Sequence, residues 1–142
     1  MHFDDVAVGQ ELPPFERAIT TYGIVAYQGA TWDFHRFHHD AEFARANGSP
    51  APFVDGQMLG ALLATHVMTW AGPDAFLRRL TFRFRSMVYA GDTLVSRGAV
   101  TETAAGDGVG TVTCSLVMTT TDGREVMSPC TAVIELPARG TS

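Results

Sequence analysis

The sequence predicts an α+β fold in which one strongly curved antiparallel sheet wraps around one long helix. Three observations point there. A single long stretch of helical periodicity stands mid-chain, from about Gly56 to Trp70. After it the apolar period switches to two, with Leu80, Phe82 and Phe84 alternating with Thr81, Arg83 and Arg85. Further strand-like runs follow at 93–101, 109–121 and 125–136, separated by Ala90-Gly91-Asp92, Gly106-Asp107-Gly108 and Asp122-Gly123. A lone helix followed by successive strands buries its apolar face on the sheet they form.

From the N-terminus, residues 1–20 read as an irregular lead-in carrying Pro13-Pro14, with a short strand at Arg17 to Thr21. Tyr22 to Gly29 suits a short helix. Residues 30–54 are loop-rich, with a helical turn at Ala41 to Ala46 closed by Asn47-Gly48. Asp55 stands at the N-cap of the long helix and Ala71-Gly72-Pro73 ends it. Met58, Leu59, Leu62, Leu63, His66, Val67 and Trp70 fall at i, i+3, i+4 spacing and form its buried face. Gly60, Ala61 and Ala64 permit close packing on the sheet. His66 is expected as a packed, hydrogen-bonded core residue, Phe82 and Phe84 as core. Arg78, Arg79, Arg83 and Arg85 are expected on a solvated strand face. A two-residue turn at Asp122-Gly123 would set Ser115 opposite Cys130 and put Cys114 on the other sheet face; a slip of one residue would bring the two cysteines together.

Composition narrows the function. At 46% hydrophobic and 18% charged residues, the 142-residue chain is a single globular domain with a real core, not a disordered tail. The apolar excess suggests a covered face or a pocket for an apolar ligand. A net charge of −5 leaves no electrostatic footprint for nucleic acid or an anionic membrane. No apolar run approaches the ~20 residues of a membrane span, and the acidic Met1-His2-Phe3-Asp4-Asp5 is no secretory signal. A cytoplasmic protein with two reduced, buried thiols is expected.

The segment from Asp33 to Ala44, DFHRFHHDAEFA, resembles the hydratase motif of the MaoC-like family, D-x-N-P-hydrophobic-H-x-D. Asp33, His38 and Asp40 stand at the motif's spacing. Phe53-Val54-Asp55-Gly56-Gln57-Met58-Leu59 resembles the family's approach to its central helix. Tyr89-Ala90-Gly91-Asp92-Thr93-Leu94 resembles its "GDTL" turn, and Phe3 to Gln10 its N-terminal lead-in. Two departures stand out: His35-Arg36 replaces Asn-Pro, and Asp55 replaces the histidine at the helix start. The pattern, with Trp70-Ala71-Gly72-Pro73, is most like the short actinobacterial subunits acting on steroid side-chain acyl-CoAs, some of which work only beside a larger subunit. The resemblance implies a hot-dog domain over 1–142 that hydrates a 2-enoyl-CoA or dehydrates a 3-hydroxyacyl-CoA. It also implies a homodimer, or a heteromer with a second hot-dog subunit. No cofactor or metal is expected beyond the coenzyme A of the substrate.

That chemistry needs a base for water, an acid for the α-carbon and a donor for the enolate-like oxygen. Asp33 and His38 are assigned the first two roles. On an ideal helix their five-residue spacing would splay the side chains about 140° apart, and on a strand they would face opposite ways. They converge only if the intervening chain curls. The third role goes to the Gly56 N–H, in the unpaired first turn of the helix, where glycine admits a thioester closely. Asp55, Arg83 and Arg85 are assigned to substrate binding, the arginines toward the phosphates of coenzyme A. Two other functions compete: a hot-dog thioesterase using Asp55, and a non-catalytic acyl-binding subunit whose loop His35-Arg36 has reshaped. A metal site at His35, His38, His39 and Asp40 is the alternative use of that cluster.

Overall fold

The computed structural model describes residues 1–139. The elements are β1 (Glu11–Ala18), α1 (Thr21–Thr31), α2 (Ala41–Ala46), α3 (Gly56–Ala71), β2 (Phe76–Phe84), β3 (Thr93–Ala104), β4 (Val109–Thr120) and β5 (Glu125–Pro137). The five strands form one antiparallel sheet in the order β1-β3-β4-β5-β2. β2 leaves the helix and pairs with the last strand, so β1 and β2 become the two edges. This α+β arrangement of one antiparallel sheet and one long central helix is the one the sequence predicts.

The central helix forms where its periodicity places it. Asp55 caps it, its Oδ1 accepting from Gln57 N–H at 2.9 Å, and Gly72, at φ 89°, closes it. Met58, Leu59, Leu62, Leu63, His66 and Val67 are buried. Met58, Leu59, Leu62, Leu63 and Val67 share one apolar cluster with Val112, Cys114 and Leu116 of β4 and Ala132, Ile134 and Leu136 of β5. Gly60 is small for a reason: a Cβ there would stand 2.9 Å from the Phe82 ring. Ala61 lies on the exposed side of the helix and does not pack on the sheet.

His66 is the expected core histidine. Its Nε2–H donates to the Pro13 carbonyl at 2.9 Å, and Nδ1 accepts from the Ser96 hydroxyl at 2.8 Å. Burial lowers its pKa.

Three expectations are corrected. The first strand begins at Glu11, not Arg17, and runs through both prolines. An edge strand tolerates them, because a missing N–H on the outer side breaks no ladder bond; the β1–β3 register shifts between Leu12 and Phe15. Thr20 then becomes the N-cap of α1, accepting from Gly23 N–H at 3.0 Å. Phe84 is not core but 53% exposed, beyond an irregularity in β2 that breaks the alternation between Phe82 and Phe84. The two cysteines share the buried core face: Cys114 opposes Ala132, and Cys130 opposes Leu116. Irregularities between Leu116 and Thr119 offset the register that a plain two-residue turn would impose. Both thiols are free, and burial pushes each up to about 11.

Candidate active site

The chain between Asp33 and His38 curls. Trp32 leaves α1 in the left-handed conformation, φ 58°, and a short 3-10 turn covers Arg36–His38. Local hydrogen bonds set the curl. Asp33 Oδ1 accepts from His35 N–H at 3.3 Å, and His35 Nδ1 accepts from Phe37 N–H at 3.3 Å. The His35 carbonyl takes the His38 N–H at 3.0 Å and the buried Gln28 amide at 3.5 Å. His35 thus works as a cap. Arg36 bonds Asp40 Oδ2 through Nε and Nη2, at 3.0 and 2.8 Å, and lies 4.3 Å from the Phe43 ring centroid. The two residues that depart from the family motif therefore stiffen the loop.

Asp40 serves structure. It caps α2 through Phe43 N–H at 2.9 Å, and that bond, with Arg36, lowers its pKa. His39 points to solvent. The His35, His38, His39 and Asp40 cluster does not gather around a common point. Among the described residues the three that do are Asp33, His38 and Asp55, one ligating atom of each lying within 4.8 Å of the others.

His38 is 9% exposed, and its Nδ1 lies 2.7 Å from the Phe53 carbonyl. A carbonyl only accepts, so Nδ1 carries the proton and the neutral ring keeps its lone pair on Nε2. Phe53 is itself braced: its N–H donates to the Phe37 carbonyl at 3.2 Å, and it bridges Tyr89. Asp92 ties that side down, accepting from Tyr89 N–H at 3.0 Å and from Arg124 at 2.7 Å. The "GDTL" turn therefore holds the backbone that orients His38.

Asp55 completes the group. It is 8% exposed; Oδ1 caps the helix, while Oδ2 is buried with no hydrogen-bond partner. Burial, and then the negative charge of Asp55, raise the pKa of the nearby Tyr27. Nothing in the spacing singled out Tyr27, which reaches the site only through the packing of α1.

Two cavities flank the start of α3. One, about 420 Å³, is lined by Gly56, Leu59, Phe84 and Arg85. The other, about 730 Å³, is lined by Tyr27 of α1 and by Met58, Ala61, Leu62 and Thr65 of α3. Asp55 caps the helix whose first turns line both cavities, and neither lining includes Asp33, His38 or Asp55 itself. Gly56, as the first helical residue, has an N–H that no intrahelical carbonyl can accept. Arg85 lines the smaller cavity, but its Nε donates to the Ser128 carbonyl at 2.6 Å and faces Glu125 at 3.5 Å. Arg83 is exposed and does not line that cavity.

Comparison with known proteins identifies relatives of the fold and the family. The model of the "MaoC like domain" family matches residues 5–121. A curated relative from Mycobacterium tuberculosis, the 3-oxo-4,17-pregnadiene-20-carboxyl-CoA hydratase beta subunit, is 36% identical over 132 residues, 93% of this chain and 96% of its own length. The ChsH1-ChsH2 complex from the same organism contains a chain 34% identical, with TM-score 0.76 over 94% of this chain and 98% of that one. The R-hydratase PhaJ1 of Pseudomonas aeruginosa shares the fold at TM-score 0.84 and 22% identity, over 97% of this chain and 86% of that one.

Proposed function

The chain belongs to the MaoC-like domain family, and from that premise we propose that it is an enoyl-CoA hydratase, acting in reverse as a 3-hydroxyacyl-CoA dehydratase. The observation that carries the reading is the convergence of Asp33 and His38 at one point beside the start of α3. His38 Nε2 takes a proton from water as the water oxygen attacks C3, while Asp33 holds the water's other hydrogen. The negative charge that reaches the thioester oxygen meets the Gly56 N–H and the positive end of the helix dipole. The imidazolium, stabilised by Asp33, then returns its proton to the α-carbon. Water has been added and both residues are restored. No cofactor enters these steps, and coenzyme A arrives with the substrate.

The two cavities suit the two ends of such a thioester. The larger lies within the size range of ligand pockets, and we assign it the acyl group; a bulky, ring-containing acyl group like the one in the relative's name is our first choice. The smaller, with Arg85 at its wall, would take the coenzyme A end, and Arg83 is left at most a phosphate contact at the surface. Asp55 would contact the substrate between them.

The edge strand β2 carries exposed Phe76 and Phe84, 60% and 53% accessible. We read this edge as a subunit contact, either in a homodimer or with a second hot-dog subunit. Among the described residues no helix is long and apolar enough to cross a membrane.

One observation favours a second reading. The free Oδ2 of Asp55 at the helix start is where a hot-dog thioesterase would hold its acidic residue. A single assay separates the two. The protein is incubated with crotonyl-CoA, a longer enoyl-CoA and a steroid enoyl-CoA. Loss of enoyl absorbance without free thiol supports hydration, thiol release supports hydrolysis, and no change with any of them sinks both for the isolated chain.

A further inference from the structure

Asp55 places a buried carboxylate beside a second carboxylate, Asp33, with only the neutral His38 ring between them and no arginine or lysine against either. Among the described residues neither forms an ion pair with an arginine, and the sequence contains no lysine. The nearest arginine in the loop, Arg36, is committed to Asp40. Buried charges that persist in proteins are paired, or they coordinate a metal.

We propose that Asp33, His38 and Asp55 form a binding site for a hydrated divalent transition-metal cation, whose occupancy excludes the enoyl thioester. Three segments of the chain supply one donor each: the loop after α1, the 3-10 turn and the cap of α3. Three donors about 2.1 Å from one ion in a tetrahedral site lie ~3.4 Å apart, so a group already within 4.8 Å closes on an ion with shifts of under about 1 Å per donor.

Each residue also spends its other polar atom on the backbone. Asp33 Oδ1 takes His35 N–H, His38 Nδ1–H goes to the Phe53 carbonyl, and Asp55 Oδ1 takes Gln57 N–H. Such outer bonds orient ligands at metal sites and set the imidazole tautomer. They leave one atom of each side chain uncommitted, and the Asp55 Oδ2 is buried without a partner.

Two carboxylates and an imidazole suit Mn²⁺, Fe²⁺, Co²⁺ or Zn²⁺, and three protein ligands leave positions for water. The ion would take the Nε2 lone pair and the Asp33 oxygen that hydration requires. It therefore acts as an inhibitor, not a cofactor.

The test uses the intact protein, freed of metal by chelator, and Co²⁺ alone as probe. Visible Co²⁺ absorption should saturate at one ion per chain, and Co²⁺ should raise the melting temperature by preferential binding to the folded state. Asp55→Asn keeps an oxygen to cap the helix, so it should fold; its Co²⁺ affinity should fall at least ~10-fold, with the thermal shift lost. His39→Ala, at an exposed neighbour, should bind as the parent does. Absence of both signals in the parent overturns the proposal. So does equal binding by Asp55→Asn, or loss of binding in His39→Ala, which would locate the ion on surface histidines. Neither readout involves enoyl-CoA turnover, so a failed hydratase assay leaves this result interpretable.

Discussion

His38 donates its Nδ1–H to the carbonyl of Phe53, 2.7 Å away and fifteen residues later in the chain. This bond leaves Nε2 to accept a proton, and it ties the ring to a backbone segment fixed by both Phe37 and Val88. Removing His38 removes that proton acceptor without touching the core. His38→Ala and Asp33→Asn should each lower kcat about 10²–10⁴-fold. Because the pair acts on one water, the double variant should be little slower than the worse single one. Steady-state kinetics on an accepted enoyl-CoA checks this, and a single variant retaining most of its activity removes that residue from the mechanism.

Gly56 and Phe84 are packed against each other, and a Cβ on Gly56 would stand 2.8 Å from the Phe84 ring. Gly56→Val should therefore lose stability as well as turnover, the latter by roughly 10²–10³ if the new side chain keeps the thioester oxygen from reaching the N–H that holds it. Phe84→Ala makes room at an exposed ring. In the double variant the melting temperature should recover and the activity should not. Recovery of both would reduce Gly56 to a packing residue.

His66 is buried and neutral, and its folded pKa lies below 6.5. The unfolded chain then binds a proton more readily than the folded one. Its contribution is fully present above pH 6.5 and is lost as pH falls through that value toward the lower folded pKa. Urea melts of the parent should show this acid loss of stability, and His66→Leu should show less of it. The variant should also cost about 2 kcal/mol at neutral pH, since Ser96 and the Pro13 carbonyl lose their partner.

Cys114 and Cys130, each raised to about 11 and buried, should resist thiol reagents at pH 8 while the protein is folded. Both should titrate in denaturant. Rapid reaction of either in the native protein would contradict the register of β4 against β5.

The exposed β2 edge predicts association. Light scattering of the purified chain at micromolar concentration should give a dimer, unless the second hot-dog subunit must be supplied. Phe76→Glu should weaken whichever assembly forms. A stable, fully active monomer would contradict the assignment of this edge.

Elements whose signals are local could be read directly from the chain. The apolar stripe from Met58 to Val67, the Asp55 cap and the Gly72 stop define α3, and the period-two runs define β3 to β5. Asp33 and His38 stood out through their match to the MaoC-like motif; their spacing, which fits neither a helix nor a strand, added only that a curled loop would have to unite them. The remaining features depend on partners far along the chain and emerge only when those segments pack. Whether Phe84 was core or edge turned on β2 pairing with β5, the last strand, and on an irregularity no propensity announces. The shared face of Cys114 and Cys130 rested on register breaks between Leu116 and Thr119. The Asp55 cap was readable, but its free Oδ2 beside Asp33 and His38, and the approach of Tyr27, were not. Those follow from how α1, the 33–38 loop and the start of α3 pack, and packing of non-local segments leaves no periodic trace in the sequence.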